Sequence, residues 1–270
     1  MQDGERPDVP ETATRVESVQ SMARGLAVIK AFNGARPRMT LSEVARQTDL
    51  SRATARRFLH TLVTLGYTDT DGREYWLRPK VLELGYAYLS SLSLPDVAAP
   101  HLKSLADRVN ESASVSVLDG TDIVYVARVP TRRIMAVSIS VGTRFPAFAT
   151  SMGRVLLAAL PAARAAELLA ASDLKPLTRN TITSSEALLA ELDRVRQQGW
   201  ALVDQELEVG LRSIAVPIRD SHASVVAAMN VSVGAGDDSI EESRQRLLPA
   251  LLAVATTLEH DLAAKLHKGS

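Results

Sequence analysis

A chain of 270 residues, 46% hydrophobic and 23% charged, has room for two compact units and a sizeable core. Thirty-one Lys and Arg balance 31 Asp and Glu, which excludes a polybasic coat for nucleic acid or membrane over the whole length. Cysteine is absent, which excludes disulfides, thiolate metal sites and a cysteine nucleophile.

The opening stretch MQDGERPDVPETATRVES is polar, acidic and proline-containing, without the apolar core of a signal peptide, and residues 1–18 are expected to be a disordered tail. No uninterrupted apolar run approaches the roughly 20 residues of a membrane span, so a cytoplasmic protein with no membrane partner is expected. Charge is unevenly spread. Gln20 to Lys80 holds 11 Lys and Arg against 5 Asp and Glu, a net of +6, and the remainder holds 20 against 26, a net of −6. That asymmetry directs an anionic partner to the N-terminal third alone.

In SMARGLAVIKAFN (21–33), Met22, Leu26, Ile29 and Phe32 recur at helical spacing before the stop signal Asn33-Gly34. Thr40 and Glu43 form a capping-box pair that opens a short second helix ending near Asp49. Ser51 caps a third helix, Arg52 to Leu65, closed by Gly66. YTDTDGREYWL reads as two short strands about an Asp71-Gly72 turn. Three helices and a hairpin over 19–78 predict a winged helix-turn-helix. Pro79 then opens a linker helix over 79–94, with Leu82, Tyr86 and Leu89 on one side and Tyr88 and Leu92 on a second.

From Pro95 a helical stretch runs to about Asn110, and ASVSVLDGTDIVYVARV reads as a hairpin turning at Asp119-Gly120, with IMAVSISVG as a third strand. SMGRVLLAALPAARAAELLAA is helical with a break near Pro161, and Thr183 with Glu186 caps a helix from there to Gln198, stopped by Gly199. WALVDQEL, LRSIAVPI and SVVAAMNVSV read as strands, and Ser239 with Glu242 caps a last helix to about Lys265. Residues 95–265 are thus expected to form an antiparallel-rich α+β domain, followed by a short tail, 266–270.

Between Leu50 and Thr68 stand three arginines and no acidic residue. At about 100° per residue, Ala55, Phe58, Leu59 and Leu62 gather on one face of the third helix. Ala53, Arg56, Arg57 and His60 take the opposite arc, joined at the helix start by Ser51, Arg52 and Thr54. Small residues permit close approach and arginines reach phosphates or guanine edges, so this face suits the major groove of double-stranded DNA. A merely solvated cationic face is the alternative. Flanking features favour DNA: the helix begun by Thr40 offers amides to a phosphate, and Arg73 sits beside the wing turn.

A hydrolase is the rival class. The five histidines, His60, His101, His222, His260 and His267, lie far from any G-x-S-x-G elbow, and no P-loop, G-x-G-x-x-G or HExxH spacing occurs, so no enzyme is expected. An effector-independent architectural DNA binder is a second alternative. The span 95–265 exceeds what dimerisation alone requires.

LSEVARQTDLSRATARRFLHTLVTLGY (41–67), RFPAFATSMGRVLLA (144–158), VDQELEVGLRSIAVPIRD (203–220) and AAMNVSV (227–233), in this order, resemble the IclR family of bacterial transcription regulators from Val19 to Leu262. LRPKVLELGYAYLSSLSLP and VYVARVPTRRIMAVSISVGTRFPA further resemble its β-ketoadipate branch (Pca/Pob-type), which regulates aromatic catabolism. The resemblance implies a winged helix joined by a linker helix to a GAF-like effector-binding domain. It also implies a homodimer or dimer of dimers, and no cofactor beyond a small carboxylate effector such as protocatechuate, 4-hydroxybenzoate or β-ketoadipate. Carried onto this chain, its effector pocket falls on Ser151, Met152 and Gly153 at a helix start, Leu211 and Ser213, and Asn230 and Ser232.

A helix N-terminus suits a carboxylate, and Asn230 and Ser232, two apart on a strand, share a face. Ordinary strand polarity is the alternative for these residues. Arg133, Arg144 and Arg154 are candidates for a bidentate carboxylate pair, with Arg144 foremost in the pocket-forming loop; Ile134 and Phe148 are candidates for the apolar wall. Two departures stand out. Asp49 occupies a turn position where the family usually has glycine, and DSHASVV lacks the usual glycine after Asp220. In the mechanism so implied, the carboxylate shifts the linker helices and with them the spacing of paired winged helices.

Overall fold

The computed structural model describes residues 19–85, 94–131, 139–236 and 238–268. Contacts divide the chain into two units with the break after residue 87.

The first unit contains α1 (Gln20–Ala31), β1 (Arg38–Thr40), α2 (Leu41–Gln47), α3 (Arg52–Thr64), β2 (Thr68–Thr70) and β3 (Glu74–Leu77), with a sheet of order β1-β3-β2. Val28, Phe32, Met39, Val44, Ala55, Leu59 and Leu62 fill its core. The helix starts follow their caps. Thr40 and Glu43 complete a reciprocal box at α2, and the Ser51 hydroxyl accepts from Thr54 N at α3.

The α2–α3 turn passes through Asp49 at φ 52°, a left-handed residue where the family prefers glycine, and Leu50 N then donates to Ala45 O at 2.9 Å. At the far end of α3, Gly66 at φ 79° lets its own N reach Val63 O and Tyr67 N reach Leu62 O, the paired bonds of a Schellman stop.

Two details of this unit differ from expectation, and a third lies mostly outside the described residues. In α1 the buried residues are Val28 and Ala31, followed by Phe32 at the C-cap, while Met22 and Leu26 are exposed. The wing turn lies one residue further on, with Gly72 at φ 90° and Arg73 at its tip, because the Asp71 carboxylate folds back onto the amides of Arg73 and Glu74. After a single 3-10 turn at Pro79–Val81 and helical residues 82–85, the rest of the expected linker helix, with Tyr86, Tyr88, Leu89 and Leu92, lies outside the described residues.

The second unit contains α4 (Leu94–Val109), β4 (Ser112–Asp119), β5 (Asp122–Val129), β6 (Arg144–Pro146), α5 (Ser151–Ala158), α6 (Ala162–Ala170), α7 (Ser185–Gln198), β7 (Ala201–Asp204), β8 (Leu211–Arg219), β9 (Val225–Gly234) and α8 (Ile240–Lys268). The strands form one sheet of order β6-β5-β4-β9-β8-β7 in which every pairing is antiparallel. The period of two sorts its side chains. Ala113, Val115, Ile214, Val216, Met229 and Val231 pack against Leu102 and Leu105 of α4 and Leu247 and Leu251 of α8. By length and composition alone, 240–265 is apolar enough to cross a membrane; its leucines Leu247, Leu251, Leu258 and Leu262 are spent in this core.

The opposite face carries Ser112, Ser114 and Ser116 of β4, Asn230 and Ser232 of β9 and Ser213 of β8, beneath α5. A bulge sets the β5 side. Val115 pairs with Ala127 and Ser116 with Tyr125, leaving Val126 as the extra residue, so Tyr125 and Arg128 share the serine face although three apart.

Of the strand read over 134–142, residues 134–138 lie outside the described residues and Ile139 to Gly142 are not strand; β5 pairs with Arg144–Pro146. Ser184 rather than Thr183 caps α7, its hydroxyl accepting from Ala187 N. The glycine missing after Asp220 is replaced by Ala223 at φ 61°, tolerated because the Asp220 carboxylate accepts from His222 N and Ser224 N, and the register past it sets Asn230 opposite Ala215 and Ser232 opposite Ser213.

A β-carbon on Gly153 would overlap the backbone of Ala147. Gly153→Ala is therefore expected to destabilise this unit by about 2 kcal/mol, visible as a lowered thermal midpoint.

Candidate nucleic-acid interface and effector cavity

On α3 the residues divide as the wheel requires. Ala55, Leu59 and Leu62 are buried and Phe58 half-buried, whereas Ser51, Arg52, Ala53, Arg56, Arg57 and His60 are exposed. The Thr54 hydroxyl, half-buried, is 2.9 Å from that of Ser51. Among the described residues, the guanidinium groups of Arg52, Arg56 and Arg57 meet no carboxylate or side-chain acceptor. Two of the wing carboxylates are engaged: Arg38 lies 4.0 Å over the Trp76 ring and bonds to Asp71 and Glu74, and the Arg73 side chain is exposed beside them.

Thr40 differs from expectation. Its amide and hydroxyl both donate to the Glu43 carboxylate at 2.8 Å, and these bonds, the amide first, hold that carboxyl below its ordinary pKa. Thr40 therefore offers a phosphate no free donor. The orphan donors at this helix start are the next amides, of Leu41 and Ser42.

The second unit has a narrow cavity of about 20 Å³ lined by Tyr125, Ala149, Thr150, Ser151, Met152, Val203, Leu207, Leu211, Ser213, Asn230 and Ser232. Ser151, Met152, Leu211, Ser213, Asn230 and Ser232 of the sequence candidates meet there. Thr150 caps α5 by accepting from Gly153 N at 3.1 Å. Ser151 donates to Ser213 at 2.9 Å, the Ser116 hydroxyl approaches Met152 Sδ at 3.2 Å, and Asn230 Nδ2 donates to Ser232 at 3.0 Å. The Asn230 Oδ1 is buried without a partner among the described residues. Burial pushes the Tyr125 phenol up to about 12, opposed by the charge of Arg128.

Several candidates fall elsewhere. Arg144 is exposed at the outer end of the hairpin, where it bonds Asp119 at 2.5 Å, Asp122 at 3.2 Å and the Asp119 carbonyl, and these bonds hold it fully protonated, away from the cavity. Arg154 is buried in α5 and donates to Glu206 at 2.6 Å and to the Phe148 carbonyl at 3.0 Å, so its donors face the core. Phe148 is itself a core side chain, and Gly153 packs against Ala147. Arg133 and Ile134 lie outside the described residues. The apolar wall is Tyr125, Met152, Val203, Leu207 and Leu211.

Sequence reading missed Ser114, Ser116, Tyr125 and Arg128. The alternation Ser112-Ala113-Ser114-Val115-Ser116-Val117 was the available signal for the serines, since strict small-polar alternation marks one strand face. Nothing in the sequence announces the bulge that turns Arg128 inward.

A winged helix carrying bare arginines, with a polar cavity in a second unit, defines a ligand-responsive DNA-binding regulator. Its two halves match known profiles: the IclR helix-turn-helix domain over residues 21–72 and the bacterial transcriptional regulator IclR C-terminal domain over 86–260. The chain belongs to the IclR family of bacterial transcriptional regulators, and it is a regulator rather than an enzyme.

It is 47% identical over 264 residues to the Pca regulon regulatory protein of Pseudomonas putida, covering 95% of this chain and 91% of that one. A crystal structure described as a transcriptional regulator from Rhodococcus sp. RHA1 is similar with a TM-score of 0.81 and 57% identity, over 92% of this chain and 99% of that one. An IclR homologue from Microbacterium hydrocarbonoxydans, solved in complex with 4-hydroxybenzoate, is similar with a TM-score of 0.77 and 28% identity, over 90% and 99%.

The Arg154–Glu206 pair supplies a stability test, both side chains being at least nine-tenths buried. Glu206→Ala leaves Arg154 in the core with only Glu191, at 4.0 Å, as counter-charge and is expected to cost about 3 kcal/mol, read as a fall in the urea midpoint.

Proposed function

We propose that this protein binds operator DNA through the exposed face of α3 and that a small aromatic or keto carboxylate, occupying the cavity beneath α5, changes its operator affinity. The genes controlled are then those of aromatic catabolism through the β-ketoadipate pathway. The observation that carries this reading is the conjunction in one chain of three arginines on α3 without carboxylate partners among the described residues and a cavity of polar and apolar walls under a helix N-terminus.

Ser51, Arg52, Ala53, Thr54, Arg56, Arg57 and His60 are the groove-facing set, with Arg73 at the wing against the backbone and the α2 start beside Thr40 against a phosphate. In the cavity, Ser151, Ser213, Asn230 and Ser232 supply polar contacts, and Met152 and Leu211 supply apolar ones. The effector class is supported by the 4-hydroxybenzoate bound to the Microbacterium homologue and by the Pca regulon named for the Pseudomonas relative. Two copies of the winged helix on paired half-sites form the DNA-binding assembly, as a homodimer or a dimer of dimers.

Fluorescence anisotropy with a duplex from upstream of its own gene, set against an unrelated duplex, tests the DNA half. Arg56→Ala is expected to weaken binding about tenfold and to reduce the slope of log affinity against log salt by about 1 in magnitude. Thermal-shift assays test the other half: 4-hydroxybenzoate, protocatechuate or β-ketoadipate, at about a hundredfold excess over Kd, is expected to stabilise the chain by about 2.7 kcal/mol. Arg56→Ala and Arg144→Ala are expected to leave that shift intact. Unchanged DNA affinity in Arg56→Ala contradicts the interface, and loss of the thermal shift in Arg144→Ala contradicts the placement of the cavity.

A further inference from the structure

The inward-turned guanidinium groups of the second unit fall into two kinds. Arg154 is answered by Glu206 and the Phe148 carbonyl; Arg212 is answered by Asp204, the Ser243 hydroxyl and the carbonyls of Asp238 and Ser239. Each has a carboxylate at bonding distance. Arg128, half-buried where those two are buried, has none among the described residues. Its Nη1 donates to the Ser114 hydroxyl at 3.0 Å, and its Nε is buried with no acceptor.

Interiors rarely leave such donors unmet. A second unmet atom lies close by. Arg128 pairs with Ser114 across β5 and β4, and Ser114 pairs with Asn230 across β4 and β9, so the three form one cross-strand row. At the far end of that row the Asn230 Oδ1 is buried and unpartnered, and Asn230 lines the cavity. The row therefore presents an unmet cationic donor at one end and an unmet acceptor at the other. A hydroxylated carboxylic acid answers both.

We propose that Arg128 is the anchor for the effector's carboxylate and the residue that sets preference for acids over neutral analogues. The edge formed by Nε and Nη2, without a partner while Nη1 holds Ser114, lies along the row beyond the residues that line the cavity, and a ligand extending from Asn230 along that row sets its two carboxylate oxygens side by side on it. Asn230 Oδ1 meets a hydroxyl on the same ligand. Desolvation already lowers the pKa of Arg128, the direction expected of a cation held without its counter-charge. The assignment rests on the reading of this cavity as the effector site, and it moves the carboxylate from Arg144 and the α5 N-terminus to β5.

Isothermal titration of the full-length chain with 4-hydroxybenzoate and with its neutral counterpart 4-hydroxybenzamide tests it. The wild type is expected to favour the acid. Arg128→Gln is expected to lose about 10- to 100-fold in acid affinity with the amide little changed, so the preference collapses, and Arg128→Lys is expected to regain part of it. Should the glutamine variant fail to fold, Ser114→Ala keeps the cation and removes only its hydroxyl partner; it is expected to retain the acid preference. Arg128→Gln binding acid over amide as the wild type does overturns the assignment and leaves the cavity reading standing, as does Ser114→Ala or Arg128→Lys binding both equally. A wild-type chain that binds neither these compounds nor protocatechuate or β-ketoadipate removes the effector reading itself, and Arg128 with it.

Discussion

Whether a cation has a carboxylate within reach decides what each part of this chain does. Two opposite charges about 4 Å apart near a protein surface interact by about 4 kcal/mol, and a buried charge without a counter-charge costs several. Arg38 takes two wing carboxylates, Asp71 and Glu74; Arg52, Arg56 and Arg57 have no carboxylate partner among the described residues. Arg154 and Arg212 are bound to Glu206 and Asp204, and they fix the loops around β7 and β8. Arg144 closes the β4–β5 turn onto β6 through Asp119 and Asp122. These pairs are architecture. The unpaired ones are where an anion belongs.

The same constraint explains why the sheet of the second unit has two unlike faces. One is apolar but for the Arg212–Asp204 pair, and is closed by α4 and α8. The other sets a row of serines and Asn230 against α5, and those hydroxyls largely satisfy one another: Ser151 with Ser213, Asn230 with Ser232, Ser114 with Arg128. A network of this kind survives burial because nearly every member is bonded. What it leaves over, Asn230 Oδ1 and Arg128 Nε, marks the place at which the network is unfinished without a ligand.

Much of this was legible in the sequence because it rests on local chemistry. The Thr40–Glu43, Ser51 and Ser239–Glu242 caps, the Gly66 and Gly199 stops and the buried face of α3 need only neighbours within a few residues, and all stand as read. The misreadings share a non-local cause. Met22 and Leu26 have the spacing of a buried face and yet are exposed, since spacing alone does not say which side of α1 its neighbours cover. Arg144 stands in an apolar stretch, yet its partners Asp119 and Asp122 are more than twenty residues upstream and reach it only across the β5–β6 pairing. Arg128 has the wrong parity for the cavity by simple alternation from Tyr125; the bulge at Val126 reverses that parity, and a bulge is a property of two strands together.

Two anion-seeking surfaces on one chain account for a regulator only if they are thermodynamically linked. Titration of 4-hydroxybenzoate into the free protein and into the protein saturated with its operator duplex measures that link directly. The account expects the acid's affinity to differ between the two states by the same factor by which saturating acid alters operator affinity, about 5- to 150-fold for ordinary coupling. Identical acid affinity with and without DNA would contradict it.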